Sequence, residues 1–263
     1  MIVHKPHGGS HGGDTFRELL DMWEEEGYCF IEQSPNDYVW VDSPGNILLY
    51  DYPRLDDRPI PPFKYGLFGN TIPKNENCFS WIFWGRKPRK LEKEIESGII
   101  SYEERKTESI FLGKVENSIQ HNNRTKHNWS SVIENFNMPI TMGNSSYYPY
   151  TQEEYLKEIK YSKFGLTLPG YGPKCNREIE YLGLGTVPIF VDGCDINYYN
   201  TMKEDVHYIM AKDPLELKEK VNSISKNEWN DLSNNGRMWY NKNCSRKGSF
   251  EVTKRIIEEM DLL

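Results

Sequence analysis

The chain has 263 residues and a formal net charge of -7, from 32 Lys and Arg against 39 Asp and Glu. A protein that binds duplex nucleic acid needs a basic surface to displace phosphate counterions, so this charge balance argues against that class. Aromatic residues make up 13% of the chain and include 17 Tyr and 7 Trp, which is enough apolar material for a sizeable core. The length fits one large domain or two domains of ordinary size.

The sequence indicates a soluble cytoplasmic protein. No window approaches the roughly 18 apolar residues that a membrane helix requires. The N-terminus, MIVHKPHGG, lacks the apolar region of a secretory signal. The chain has 5 Cys and no C-x-x-C pair, so we expect reduced thiols and neither a disulfide framework nor a zinc site.

The first half begins with the pattern of a strand, a glycine loop and a helix, as in a Rossmann-like unit. An apolar run at 1–3 precedes four glycines between 8 and 13, and apolar residues at helical spacing follow from Phe16 to Trp23. Short runs typical of strands follow at 29–31, 38–41 and 47–50. The apolar block FSWIFW at 79–84 favours a buried strand or the aromatic wall of a site.

The second half alternates strands and helices, which predicts a parallel sheet covered on both faces. A charged run at 87–105 comes first and predicts an exposed connection with a short helix. The predicted strands are 109–115, 164–168 and 187–191, and the predicted helices are 151–160, 176–184, 214–221, 228–240 and 250–260.

The predicted fold class is therefore α/β, with two Rossmann-like α/β/α halves that face a cleft. The expected boundaries are residues 1–105 and 106–240, with a last segment, 241–263, that packs back on the first half. In such sheets ligands bind outside the carboxyl ends of the strands, so the cleft is the expected site.

The stretch that starts at Lys163 reads KFGLTLPGYGPKCNREIEYLGLGTVPIFVDG and carries most of the chemistry. A turn at 169–173 separates a strand from a helix, and the free N–H groups and the positive dipole end of that helix suit a diphosphate. Lys174 and Arg177 add charge there. Arg177 and Glu180 share a helix face, so that one can bind phosphate and the other ribose hydroxyls. A glycine turn or an ion pair at this spacing is ordinary when it occurs alone.

The combined pattern R-x-x-E-x-x-x-x-G-x-x-P, from Arg177 to Pro188, resembles the donor-binding half of exostosin-like glycosyltransferases, which have the two-domain GT-B fold. With SIFLGKVENSIQHNNR upstream and DVHYI downstream, the chain resembles short exostosin-like enzymes encoded by large algal viruses, a group that includes a chlorovirus capsid-glycan xylosyltransferase. The resemblance covers the second half well and the first half more thinly.

The resemblance implies a nucleotide-sugar donor site. Its residues would be Arg124, Gly170, Tyr171, Gly172, Lys174, Arg177, Glu180 and His207. Arg124 and Arg177 would neutralise the diphosphate, Glu180 would bind the ribose, and His207 would face the nucleotide or sugar. For His207, a loop histidine without a ligand is nearly as good an interpretation. We expect no metal or other cofactor, because in GT-B enzymes the helix dipole and basic side chains replace a metal at the leaving diphosphate.

Inverting sugar transfer needs a group that takes the proton of the acceptor hydroxyl, and in the GT-B arrangement it comes from the first half. Asp56 is the first candidate and Asp14 the second. The alternatives are a solvated loop carboxylate for Asp56 and a helix N-cap for Asp14. His11, Trp81 and Trp84 are the expected acceptor contacts, although large aromatic residues more often belong to the core.

The predicted function is a metal-independent glycosyltransferase that moves a sugar from a UDP-sugar to a hydroxyl of a glycan. Xylose as the sugar, and inversion of configuration, are implied by the resemblance. One alternative is an aromatic-rich carbohydrate-binding module, which would not need Lys174, Arg177 and Glu180. Another is a different nucleotide-sugar enzyme such as an epimerase, which predicts a G-x-G-x-x-G turn that 8–13 does not match. We expect no nucleic-acid partner and no membrane span.

Overall fold

A computed structural model describes residues 1–7, 14–52, 55, 59–143 and 148–260, apart from the side chains of Asp14 and Thr15. The chain forms two compact units. Unit 1 comprises Met1–Arg89, Asn197–Thr201 and Asn241–Leu263, and unit 2 comprises Lys90–Ile196 and Met202–Tyr240. The sequence places the first boundary at 105, whereas the first segment of unit 1 ends at Arg89.

Unit 1 is built on a six-stranded mixed sheet. Its strands are β1 (Ile2–Lys5), β2 (Phe30–Gln33), β3 (Val39–Val41), β4 (Ile47–Tyr50), β5 (Tyr65–Phe68) and β6 (Cys78–Ser80). Its helices are α1 (Asp14–Glu25) and α8 (Arg246–Met260), while α2 (Pro88–Glu96) and α7 (Lys226–Asn243) each run from one unit into the other. Only the first two residues of the predicted aromatic strand, Phe79 and Ser80, belong to β6, which begins at Cys78 and ends at Ser80.

The sheet of unit 1 has the order β2-β1-β3-β4-β5-β6. Strand β3 is antiparallel to both of its neighbours, and the other described pairings are parallel. Strands β1 and β4 therefore run in the same direction, and the segments that follow them leave the same edge of the sheet. Asp56 and His11, which follow β4 and β1 in the sequence, lie outside the described residues.

One face of this sheet packs against helices. Phe16 of α1 contacts the rings of Trp81 and Trp84 at centroid distances of 5.7 and 5.1 Å. From α8, the Thr253 hydroxyl accepts a hydrogen bond of 2.8 Å from the Trp81 indole N–H. Trp23 makes the equivalent bond to Ser249, at 2.9 Å. Helix α8 therefore supplies both hydroxyl acceptors that satisfy these buried indoles.

The opposite face of the sheet has a different cover. Its core cluster consists of Trp40, Leu48, Tyr50 and Phe68. The described side chains packed against it come from loops and from β6: Tyr38, Tyr52, Leu55, Ile60, Phe63, Ile72 and Cys78. Because none of these residues lies in a helix, unit 1 differs from the predicted α/β/α layering in the part that the structure describes.

The outer edge of this sheet is protected by a carboxylate. Strand β2 lies at the edge, and the backbone N–H of Ile31 donates a 3.0 Å hydrogen bond to Oε1 of Glu24 in α1. This backbone donor is therefore satisfied by a side chain instead of by a further strand.

Unit 2 contains a five-stranded parallel sheet with the order β11-β10-β9-β7-β8. Its strands are β7 (Thr107–Leu112), β8 (Asn135–Asn137), β9 (Ser162–Thr167), β10 (Val187–Phe190) and β11 (Ile209–Met210). Its other helices are α3 (Ser118–Arg124), α4 (Gln152–Lys160), α5 (Asn176–Leu184) and α6 (Pro214–Ser223). The predicted α/β class with parallel strands is confirmed.

The charged run at 87–105 is mostly exposed and contains the short helix α2, as its composition predicts, but the end of that helix contacts a buried cation. Lys160 of α4 is 4% exposed, and its ammonium group donates to the carbonyl oxygen of Glu94 at 2.8 Å and to the Ser97 hydroxyl at 2.6 Å. The Glu94 carboxylate lies 3.1 Å from the same nitrogen. The end of α2 is thus held against α4 by a buried cation.

In the described parts of the chain, every helix is too short or too polar to span a membrane.

The Trp81–Thr253 bond gives a stability prediction for unit 1. Thr253→Val keeps the shape of the side chain but leaves the buried indole N–H without its acceptor, so the free energy of unfolding should fall by about 1–3 kcal/mol. Urea denaturation measures this change. Glu251→Ala, on the exposed side of the same helix, is the control and should stay within about 0.5 kcal/mol of the wild type. Equal stability of the two variants would contradict the assignment.

Candidate functional site

The sheet of unit 2 changes its winding direction between β7 and β9. From β7 the chain crosses to β8 on one side, and from β9 it crosses to β10 on the other. Right-handed crossovers then place α3 and α5 on opposite faces of the sheet. In sheets of this strand order, ligands bind in a crevice at the carboxyl edge, between the segments that follow the two strands, which here are those after β7 and β9.

Arg177, near the start of α5, brings its guanidinium group to this crevice. The residue is 8% exposed, and its Nη2 donates a 2.9 Å hydrogen bond to the carbonyl oxygen of Leu112 at the end of β7. The guanidinium carbon lies 4.4 Å from the centre of the Phe111 ring. Its Nε and Nη1 are buried and have no hydrogen-bond partner among the described residues. A buried guanidinium with open donors has a strong preference for an acceptor, and for an anionic one above all.

Arg124, the last residue of α3, reaches the same crevice from the other face of the sheet. Its Nε donates to the carbonyl oxygen of Pro169 at 3.1 Å, and its Nη1 donates to that of Lys114. Burial lowers the pKa of Arg124, and the positive charge of Arg177 lowers it further. Arg124 thus joins the segments that follow β7 and β9, while also adding a second positive charge beside Arg177.

Two glycines allow this close packing. A Cβ atom on Gly113 would lie 2.6 Å from Nη2 of Arg177, and one on Gly170 would lie 3.0 Å from Sγ of Cys175. The Gly170 N–H donates to the carbonyl oxygen of Gly172 at 3.0 Å, which closes the turn that the sequence predicts there. Tyr171 is half-buried in this turn. The predicted close approach of backbone at Gly170 is therefore found, and Gly113 is a second such position.

Glu180 lies one turn further along α5 and is 1% exposed. Its Oε2 accepts a 2.8 Å hydrogen bond from the hydroxyl of Tyr155 in α4. Burial raises the pKa of Tyr155 well above its ordinary value, and the Glu180 carboxylate raises it further. The phenol therefore stays protonated and acts as a fixed donor that orients the carboxylate.

Lys174, a predicted phosphate contact, is buried beside a carboxylate of the protein instead. Its side chain is 0% exposed, and its Nζ lies 3.8 Å from Oδ2 of Asp195. Burial lowers the pKa of Lys174, whereas the Asp195 and Glu178 carboxylates raise it. The charge of this lysine is offset within the protein.

His207 is not brought to the crevice. It precedes β11, which runs parallel to β10, so His207 lies at the amino edge of the sheet. Its Nδ1 accepts a 2.9 Å hydrogen bond from the backbone N–H of Lys203. Burial lowers the pKa of His207 from its ordinary 6.5. A loop histidine with a structural partner, the alternative raised from the sequence, accounts for this geometry.

The candidates in unit 1 divide into two groups. Trp81 and Trp84 are 0% and 1% exposed and belong to the core, so neither ring presents a face to an acceptor glycan in this structure. The position of Asp56, that of His11 and the side chain of Asp14 lie outside the described residues. Asp14 is the first residue of α1.

Arg105 is a third buried arginine of unit 2, and its contacts are those of a structural residue. Arg105 is 3% exposed, and its terminal nitrogens donate to the carbonyl oxygens of Ser162 and Leu184 at 2.7 and 2.8 Å and to the Thr186 hydroxyl at 3.0 Å. It lies at the C-terminal end of α5, where a cation is stabilised by the helix dipole. Arg177, at the other end of the same helix, has one carbonyl acceptor. Both its Nε and its Nη1 have no partner among the described residues, whereas in Arg105 only Nε has none.

Three residues of the crevice are not predicted from the sequence: Gly113, Tyr155 and Asp195. Tyr155 is one apolar position of an amphipathic helix, and its pairing with Glu180 arises only when α4 packs on α5. Gly113 had a local signal, since it directly follows the apolar residues of a predicted strand. Asp195 is a loop carboxylate with no distinguishing neighbour.

The described residues contain no group of three or more His, Cys, Asp or Glu side chains arranged to hold a metal ion. No protein-family model matches the chain, and no curated protein matches it.

The Tyr155–Glu180 bond gives a second stability prediction. Tyr155→Phe removes one donor from a buried carboxylate and should lower the free energy of unfolding by about 1–3 kcal/mol, measured by urea denaturation. Tyr161→Phe is the matched control, because it removes the same hydroxyl from a side chain that is 43% exposed. A Tyr155→Phe protein as stable as the control would show that the bond contributes nothing.

Proposed function

We propose that the chain is a glycosyltransferase of the GT-B type that transfers a sugar from a nucleoside diphosphate donor, UDP-xylose being the first choice, to a hydroxyl of a glycan. The donor site is the crevice of unit 2, and unit 1 supplies the acceptor site and the base. The two-domain GT-B arrangement, the exostosin-like relationship and the cytoplasmic location are parts of the same proposal.

The observation that carries the proposal is the state of Arg177. Two of its nitrogens are buried at the change of winding direction with no partner in the part of the chain that the structure describes, and a second guanidinium lies nearby. An unsatisfied buried donor costs about 1–3 kcal/mol, so this arrangement is best explained by a ligand that supplies anionic oxygens. The N-terminus of α5 adds its dipole in the same place, which favours a diphosphate.

The residues around Arg177 then have distinct roles. Arg177 binds the diphosphate through Nε and Nη1, the two atoms that have no partner among the residues described. Arg124 holds the carbonyl oxygens of Lys114 and Pro169 and adds long-range positive charge. Glu180, oriented by Tyr155, accepts the ribose hydroxyls. As the bond to the sugar breaks, charge builds up on the leaving diphosphate, and the two guanidinium groups stabilise it.

Binding of UDP tests the donor site. Arg177→Met should raise the Kd of UDP by roughly 10- to 150-fold, since a hydrogen bond to a charged group contributes about 1.5–3 kcal/mol. Isothermal titration calorimetry measures the Kd, and addition of EDTA should leave it unchanged. Lys157→Met removes the same charge from an exposed position on α4 and serves as the control.

Three outcomes of that titration would count against the donor site. The wild type could fail to bind UDP, it could bind UDP only with a divalent metal, or Lys157→Met could weaken binding as much as Arg177→Met. Binding of free xylo-oligosaccharides without any binding of UDP would favour a carbohydrate-binding module instead.

Turnover tests the base. Asp56→Ala should keep UDP binding and reduce the release of UDP from the donor sugar by about 10²- to 10⁴-fold, the usual contribution of a general base. Asp57→Ala, at the neighbouring position, is the matched control and should remain active. Full activity of Asp56→Ala together with an inactive Asp14→Ala would move the base to Asp14 and leave the donor site as proposed.

A further inference from the structure

The loop that follows β10 is closely joined to the turn that follows β9. The backbone N–H of Asp195 donates to the carbonyl oxygen of Pro173 at 3.1 Å. Cys194 Sγ lies 3.3 Å from the carbonyl oxygen of Thr167, at the end of β9. A Cβ atom on Gly193 would touch the ring of Pro169 at 3.4 Å. These contacts bring 193–195 against both ends of the 169–173 turn.

The contact between 193–195 and the 169–173 turn forms a junction, and Lys174 is buried in it. Its ammonium group is shielded from solvent and lies 3.8 Å from the Asp195 carboxylate, whose side chain is 32% exposed. A lysine that bound phosphate directly would have to leave this carboxylate and move its ammonium group out of the interior. In the described position, the pair carries no net charge and cannot supply the attraction that Arg124 and Arg177 provide.

Lys174 nevertheless lies directly before the N-terminus of α5, where a shift of the backbone affects the helix. It directly precedes Cys175, the N-cap residue of α5, whose backbone N–H donates a 2.9 Å hydrogen bond to Oε1 of Glu178. Arg177 follows within the first turn of the same helix. A shift of the 169–174 segment would therefore move both the helix N-terminus and the guanidinium that depends on it.

We propose that Lys174 is a positioning residue that acts through Asp195, fixing the loop after β10 against the turn after β9 so that the N-terminus of α5 and Arg177 are held ready for an anion. Lys174 does not itself contact the ligand. This inference rests on the proposed donor site, and it reassigns a lysine that the sequence pattern places among the phosphate ligands.

The two interpretations of Lys174 predict opposite effects of changing its partner. If Lys174 acts through Asp195, then Asp195→Asn breaks the pair and should raise the Kd of both UDP and inorganic pyrophosphate by about tenfold. If Lys174 is a direct ligand, the same substitution frees its ammonium group and removes a nearby negative charge, so both ligands should bind more tightly.

The full test is a double-mutant cycle of Lys174→Met, Asp195→Asn and the double variant, with Kd values from calorimetry at a temperature where every variant is folded. The double variant should bind no more weakly than the worse of the two single variants, because both changes break one contact. Thr253→Val, which is destabilised in unit 1, is the control for a merely structural effect and should keep the wild-type Kd.

A second measurement needs no ligand. The Cys175 thiol lies in the junction, so Lys174→Met and Asp195→Asn should each speed its reaction with a thiol reagent by about tenfold, read by mass spectrometry of the labelled peptide. Lys157→Met should not change that rate. If the wild type binds neither UDP nor pyrophosphate, the proposed donor site fails while the thiol rates still report on the junction. Tighter or unchanged binding by Asp195→Asn, or unaltered thiol rates, would overturn the role assigned to Lys174.

Discussion

The change of winding direction between β7 and β9 is the constraint on which the chemistry of unit 2 depends. Parallel strands need crossover helices, and right-handed crossovers in opposite directions put α3 and α5 on opposite faces of the sheet. Arg124 and Arg177 come from those two helices, yet both contact carbonyl oxygens of the segment 112–114. Two like charges are brought together by topology, and the aromatic ring of Phe111 lies within 6 Å of both guanidinium carbons, at 4.4 and 5.9 Å.

The buried cations of unit 2 differ in how they are compensated. Lys160 and the terminal nitrogens of Arg105 donate to carbonyl and hydroxyl oxygens, Lys174 is paired with Asp195, and Arg124 donates to two carbonyl oxygens. These four connect secondary-structure elements to one another. Among the described residues, Arg177 has one carbonyl acceptor and two nitrogens without a partner, which is why the proposed donor site is centred on it.

Local signals were sufficient for much of the fold. Alternating strand and helix patterns predicted the α/β class, and the glycine-rich turn with a helix after it predicted the segment that carries Arg177. Strand β8 was not predicted because Asn135–Asn137 is short and polar. It is a strand because it pairs with β7 and not because of its own sequence pattern. The positions of the Lys174, Trp81 and Trp84 side chains depend on partners more than 20 residues away in the chain. Two such partners are Asp195 and Thr253, and no local sequence pattern predicts these contacts.

The bond between Glu24 and Ile31 has a consequence for how the protein meets other chains. An edge strand with open backbone donors is a template on which another strand can add, and β2 also exposes Phe30 at 73%. The carboxylate of Glu24 occupies the donor at Ile31, and two copies that approached edge to edge would bring their negative charges together. Glu24 of α1 thereby disfavours pairing between the β2 edge strands of two copies of the chain.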